Sequence, residues 1–295
     1  MKRINNADDN GFRIVGGEVD LQDLPTKVDS LYTSGDDYKE KLAAHVDDLS
    51  SIQQLLYASN KYAVLIVFQA MDTGGKDGMI RHVFSGINPQ GCQVTSFKQP
   101  SAIESSHDFL WRTARNLPER GHIGVFNRSY YEDVLIARVH PDLLQAGGAQ
   151  FGDIKPKKLW RQRYQSINDW ERHLTRNGTR ILKFFLHISK DEQRQRFLSR
   201  IDNAKKNWKF STDDIKERAY WDKYTKAYEK CLSATGTQDA PWFVIPADDK
   251  KNARLMVSKM ILDELSTLDM QYPQSDAKRK AELQAFRDQL TASNR

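Results

Sequence analysis

The sequence predicts an α/β domain with a central five-stranded parallel sheet and helices on both faces. Three observations predict it. Five short apolar runs, at residues 62–68, 92–97, 123–127, 180–188 and 242–247, recur along the chain. Stretches of helical periodicity separate them, the alternation expected when crossover helices join parallel strands. The first run, YAVLIVF, is apolar at every position, as in a strand buried on both faces.

Residues 1–37 are polar and read as an extended N-terminal arm. They contain no apolar stretch of the kind a secretory signal needs. Residues 38–60 follow as a helix, with Leu42, Val46, Leu49, Ile52 and Leu56 on one face. After the first strand, GMIRHVFSGI reads as a helix over 78–87, and further helices are expected over 103–117, 157–176, 190–200, 212–233 and 252–268. Trp111, Trp160, Trp170 and Trp221 fall within these amphipathic stretches and read as packing residues. Nothing in composition splits residues 38–270, so they are expected to form one domain, with 271–295 as an outer charged helix.

Composition narrows the function classes. No run of roughly 18 apolar residues occurs, so no membrane span is expected. Cys92 and Cys231 lie far apart and lack His or Cys neighbours at metal-ligand spacing, which points to a reduced, cytoplasmic protein. The seven histidines form no H-x-x-x-H pair and no G-x-S-x-G elbow occurs, so neither a zinc hydrolase nor a serine hydrolase has support. A net charge of +6 suits a polyanionic partner.

The chemistry centres on QAMDTGGKDG, residues 69–78, which departs from the phosphate-loop pattern G-x-x-x-x-G-K-[ST] at two places. Ala70 stands at the first glycine and Asp77 at the hydroxyl residue. The context nevertheless fits: the loop leaves a buried strand and opens a helix. Gly74 and Gly75 let backbone N–H groups converge on one point, and Lys76 can reach phosphate oxygens. Asp72 and Asp77 set two carboxylates beside a polyanion, an arrangement that calls for Mg²⁺, with Mn²⁺ as its substitute. The plainer alternative is a glycine-rich turn with Lys76 in solvent.

At the end of the third strand, NRSYYED supplies Asn127 and Arg128. Ligand chemistry gathers at strand carboxyl ends in open α/β sheets. Asn127 can hold a metal-bound water, and Arg128 can neutralise a transferred phosphoryl group. The segment RQRFLSRIDNAKKNWK carries Arg194, Arg196, Arg200, Lys205, Lys206 and Lys209 against one acid, Asp202. It reads as a mobile lid at about residues 200–212 that closes over phosphates, against the plainer alternative of a solvated basic face.

Taken in order, DTGGKDG (72–78), INPQG (87–91), FNRSYYEDV (126–134) and EQRQRFLSRIDNAKKNWKFS (192–211) resemble the second family of polyphosphate kinases. The resemblance spans roughly residues 38–268. It implies a three-layer P-loop kinase fold of the thymidylate-kinase type with a helical lid, and Mg²⁺-dependent phosphoryl transfer between inorganic polyphosphate and a nucleotide. It implies Asp72, Lys76, Asn127 and Arg128 as the catalytic set, with Asp72, Asp77 and Asn127 organising the metal. Gly74, Gly75, Lys76, Arg196, Arg200, Lys206 and Lys209 would contact phosphates, and Glu132 and Asp133 the acceptor nucleotide. One subgroup of the family reads Asp-Arg-Ser at this strand end, with Asn five places after the Asp. Here Asn127 and Glu132 stand instead, as in the subgroup that accepts both AMP and ADP, or the guanine equivalents.

A homo-oligomer, dimer or tetramer, is expected, with no membrane or nucleic-acid partner. From the residues alone two other functions stay open. One is a nucleoside monophosphate kinase with ATP as donor, disfavoured by the missing Ser/Thr after Lys76. The other is an RNA- or polyanion-binding protein with a vestigial loop, for which no aromatic RNA-recognition strand appears.

Overall fold

The computed structural model describes residues 11–142 and 155–292. Its sheet has six strands, not five: β1 (Arg13–Ile14), β2 (Ala63–Ala70), β3 (Cys92–Ser96), β4 (Ile123–Asn127), β5 (Thr179–His187) and β6 (Trp242–Pro246). The order across it is β1-β6-β5-β2-β4-β3. The five expected strands are present and mutually parallel, but β1 pairs antiparallel with β6, so the sheet is mixed. Two residues inside the arm escaped a pattern reading because so short a strand shows no period. Their pairing is reinforced downstream. Val19 N–H donates to Ser233 Oγ at 2.9 Å and Leu21 N–H to Glu229 Oε1 at 3.2 Å, with Ile14, Val19 and Leu21 buried.

β2 lies between β4 and β5, and every one of its eight residues is buried. From β2 the chain first builds one wing (β3, β4), then crosses to the other (β5, β6). The crevice beyond the carboxyl end of β2 is therefore the topological switch point, where open α/β sheets place ligands.

The helices form a layer on each face. α1 (Gly35–Ser59), α2 (Lys76–Val83) and α10 (Lys250–Ser266) pack together on one, and α5 (Glu132–Val139), α6 (Pro156–Arg176) and α9 (Trp221–Thr235) on the other. α1 forms where expected. Ser34 caps it by accepting from Asp37 N–H, its buried face runs Tyr38, Leu42, Val46, Leu49, Gln53, Leu56, and Asn60 ends it at φ 48°.

Two expected helices are broken. Residues 103–117 split into α3 (Ala102–Ser105) and α4 (Trp111–Ala114). Between them Ser106 Oγ donates to Ile103 O at 2.8 Å, and Asp108 Oδ1 accepts from Leu110 N–H at 2.9 Å. Such local side-chain bonds compete with the helix ladder. Residues 212–233 split into α8 (Thr212–Arg218) and α9, and Tyr220 at the break turns its ring onto His140, 4.9 Å between centroids.

α7 (Lys190–Ile201) leads into the basic segment, and α11 (Ala277–Ala292) has no buried residue. Among the described residues no helix is long and apolar enough to cross a membrane.

Candidate active site

The loop after β2 is shaped by steric limits. A Cβ on Gly74 would meet Ala70 Cβ at 2.4 Å and Met71 O at 2.8 Å. Gly74 is thus required because Ala70, still part of the strand, sits directly against it. Gly75 has φ 101°, a left-handed conformation suited to glycine, and caps α2. The first N–H groups of a helix lack partners within it, so α2 opens with donors facing the crevice.

Lys76 lies half-buried at the start of α2, its ammonium donating to Ala70 O at 3.1 Å. Desolvation pushes its pKa down to about 8, Arg128 adds to the depression, and Asp72, Glu132 and Asp77 oppose it. An unfolded lysine titrates at about 10.4. Between these values the unfolded chain holds more protons, so this group penalises folding below about pH 8 and the penalty lifts as pH rises. Anion binding has the opposite sign, because it needs the ammonium. The KM of a phosphate-bearing donor is expected to stay flat up to about pH 8 and then rise, approaching tenfold per unit, in initial rates measured between about pH 7 and about pH 9.5. A flat KM throughout would remove Lys76 from the donor contact.

Arg128 comes to the same crevice from the end of β4. Its N–H donates to Phe68 O at 3.0 Å, and its φ is 64°, a left-handed value rare outside glycine. The guanidinium spans two acids, donating to Asp72 Oδ1 at 3.3 Å and to Glu132 Oε2 at 3.4 Å. Asn127 Nδ2 donates to Asp77 Oδ1 at 2.8 Å. Asp72, Lys76, Asp77, Asn127, Arg128 and Glu132, distant in sequence, therefore meet at the carboxyl ends of β2 and β4.

Asp133 is placed differently. Arg163 Nη1 donates to its carbonyl at 2.7 Å and lies 3.8 Å from its carboxylate. Desolvation raises the Asp133 pKa to about 6, with Arg163 and Arg112 opposing. Its carboxylate thus leans on Arg163 of α6.

Arg196 is also placed differently from the lid contact expected of it. The residue is only 7% exposed. Nη1 donates to Thr73 O at 3.1 Å and Gly74 O at 3.0 Å, Nη2 to Ala247 O at 2.5 Å and Asp248 O at 3.3 Å, and Nε to Glu192 at 2.6 Å. Its donors are spent on loop carbonyls, so it braces the loop from beneath instead of reaching over it. Four residues on, the side chain points elsewhere, and Arg200 Nη1 donates to Asp214 Oδ2 at 3.3 Å. Lys206 is exposed, and the Lys209 side chain lies outside the described residues.

Gln193 was missed in the sequence. Its amide donates to Asp72 O at 3.0 Å and accepts from Arg218 Nη1 at 2.6 Å, tying the loop to α8. A signal existed: Gln193 and Arg196 are three apart and share a helix face with buried Phe197.

The family model described as Polyphosphate kinase 2 (PPK2) matches residues 32–276. The ADP-polyphosphate phosphotransferase of Rhodopseudomonas palustris is 61% identical over 280 residues, 95% of this chain and 97% of that one. The AMP/ADP-polyphosphate phosphotransferase of Meiothermus ruber is 46% identical over 237 residues, 80% of this chain and 84% of that one. The crystal structure of polyphosphate kinase 2 from Arthrobacter aurescens TC1 superposes with a TM-score of 0.83 at 41% identity, covering 93% of this chain and 95% of that one. With the family model matching residues 32–276 and two relatives aligned over 97% and 84% of their own lengths, the chain belongs to the polyphosphate kinase 2 family.

Proposed function

We propose that the protein transfers phosphoryl groups between inorganic polyphosphate and nucleoside mono- and diphosphates, forming ADP and ATP or their guanine equivalents, reversibly. The observation that carries the reading is the convergence of Lys76, Asp72 and Arg128 at the switch point of a chain that belongs to this family. The names of its relatives support polyphosphate as donor, and as acceptor they name ADP, AMP with ADP, or AMP. Neither the ATP-dependent monophosphate kinase nor the RNA-binding protein has comparable support.

In the forward step a terminal phosphate oxygen of the nucleotide attacks the terminal phosphorus of polyphosphate. A P–O bond to the nucleotide forms, the bridging P–O bond to the polymer breaks, and the bridging oxygen leaves with the shortened chain. The acceptor phosphate is already ionised near neutral pH, so no general base is needed. The residues' task is to hold two polyanions together. The α2 N–H groups and Lys76 cradle donor phosphates. Arg128 neutralises the transferred group, and Asp72 and Glu132 aim its guanidinium. Asn127 orients Asp77.

Mg²⁺ belongs to this reading, with Mn²⁺ as a substitute. Asp72 and Asp77 offer hard carboxylate oxygens, and among the described residues no group of three His, Cys, Asp or Glu could cage an ion. That donor set fits Mg²⁺, which binds through one or two carboxylates and completes its shell with waters and substrate phosphates. When bound, the ion neutralises charge on the transferring phosphates.

The same reading includes a P-loop kinase fold of the thymidylate-kinase type and a lid formed by the basic segment, with Arg200, Lys206 and Lys209 above the phosphates. It also includes a cytoplasmic homo-oligomer, supported by the exposed stripe of Leu283, Phe286 and Leu290 on α11.

The test is chromatography of nucleotides after incubating the protein with Mg²⁺, long-chain polyphosphate and either AMP or ADP, with no triphosphate present. ATP from both is expected. ATP from ADP alone would discard AMP and with it Glu132 as a contact of the acceptor nucleotide, and no product from either would overturn the donor.

A further inference from the structure

Beneath the turn that carries Arg128 lies a buried polar cluster. Glu171 on α6 is 1% exposed and Lys183 on β5 is 0% exposed. Lys183 Nζ donates to Glu171 Oε2 at 2.7 Å, to Thr235 O at 2.7 Å and to the Tyr131 hydroxyl at 2.9 Å, which uses all three of its protons. Tyr130 and Tyr131, both fully buried, each donate a hydroxyl to Glu171 Oε1 at 2.7 Å. Tyr131 N–H donates to Ser129 Oγ at 3.2 Å, and Ser129 Oγ accepts from Gln69 Nε2 at 3.4 Å. The chain of contacts thus runs from the ion pair through two tyrosines to the residue next to Arg128, and back to the strand that feeds the glycine loop.

Packing energy does not account for this cluster. A buried ion pair costs desolvation that its own attraction barely repays, and apolar residues of similar volume are often as stable or more so. What a fully satisfied pair does supply is a single geometry. Arg128 needs one, because a non-glycine residue at φ 64° persists only where its surroundings over-determine it.

We propose that Glu171 and Lys183 are positioning residues for phosphoryl transfer: by clamping the Tyr130 and Tyr131 hydroxyls they hold the 127–132 turn in the form that presents Arg128 between Asp72 and Glu132. The inference rests on the function proposed above for Arg128, but its test has a readout that needs no activity. Tyr130→Phe/Tyr131→Phe keeps the rings and both members of the ion pair and removes the clamping hydroxyls, which leaves Glu171 Oε1 and one Lys183 proton without those partners. Glu171→Met/Lys183→Met replaces the pair with apolar side chains of similar size.

Hydrogen exchange is measured on peptides covering 127–132 and, as reference, β2, alongside kcat and KM for polyphosphate and ADP. The expected result for the tyrosine variant is exchange at 127–132 faster by about tenfold or more with β2 unchanged, and kcat lower by about tenfold with both KM values within twofold. In an Arg128→Ala background the same change should cost no further kcat, since its effect passes through Arg128. The methionine variant should show the same loosening, and if it fails to fold the tyrosine variant decides alone. Unchanged exchange at 127–132 in a folded tyrosine variant overturns the proposal, as does an equal further loss in the Arg128→Ala background. If wild-type protein makes no ATP from polyphosphate, the proposed function fails separately, while the exchange result still decides whether the cluster holds the turn.

Discussion

Lys76→Ala is expected to lower turnover by about 100-fold or more while leaving the protein folded. The two halves of this expectation come from different features. The ammonium is a cation at the mouth of the α2 N-terminus, close enough to Asp72, Glu132 and Asp77 to feel their charge, so losing it removes charge where the transferred phosphates must sit. Its contribution to the fold is one hydrogen bond, to Ala70 O, worth about 1 kcal/mol. That charge is also held at a cost, since the site depresses its pKa, so removing it relieves desolvation as well. The check is single-turnover rates with polyphosphate beside a thermal melt. Near-wild-type turnover, with the melt unchanged, would show that the loop's lysine is not part of the chemistry.

Arg196→Met should act the other way round, through structure first. The guanidinium is buried, and its loss leaves the carbonyls of Thr73, Gly74, Ala247 and Asp248 without the donor that joins them. Methionine fills much of the volume and supplies no donor. A cost of roughly 2–4 kcal/mol is expected, since bonds to a charged group run about 1.5–3 kcal/mol each and water can recover some of them. In a protein of this size that lowers Tm by roughly 4–8 °C. Turnover should fall too, because the Thr73–Gly74 backbone that Arg196 braces sets the line of N–H groups opening α2. Arg200→Ala is the contrast. Its partner Asp214 is partly exposed, so Tm should hold steady while KM for polyphosphate rises. If Arg196→Met raised KM alone and left Tm unchanged, Arg196 would be a lid residue after all and the brace would be wrong.

These two arginines mark where reading the chain stops being sufficient. The family resemblance implies phosphate contacts for both, and their spacing of four in a basic stretch gives them one helical face. Burial separates them. The helix runs from beneath the loop out to solvent, so the first arginine meets carbonyls and the second meets an acid on α8. Asp133 presents the same problem at shorter range. Next to Glu132 in sequence, it starts the same helix but leans on Arg163, whereas Glu132 turns toward Arg128. Lys183 shows the converse. A lysine in the middle of an apolar strand was visible, but its partner Glu171 lies twelve residues earlier on another element, and nothing local pairs them.

By itself the sequence determined the five parallel strands, the glycine loop between β2 and α2, and the strand end that carries Asn127 and Arg128. Each of these depends on local pattern: apolar runs, double glycine, a lysine at a helix start. Only the tertiary structure decided the sixth strand, the brace made by Arg196 and Gln193, and the clamp beneath Arg128. The reason is physical. A buried donor or acceptor must find its partner wherever the fold brings one, and that distance in space leaves no period in the chain.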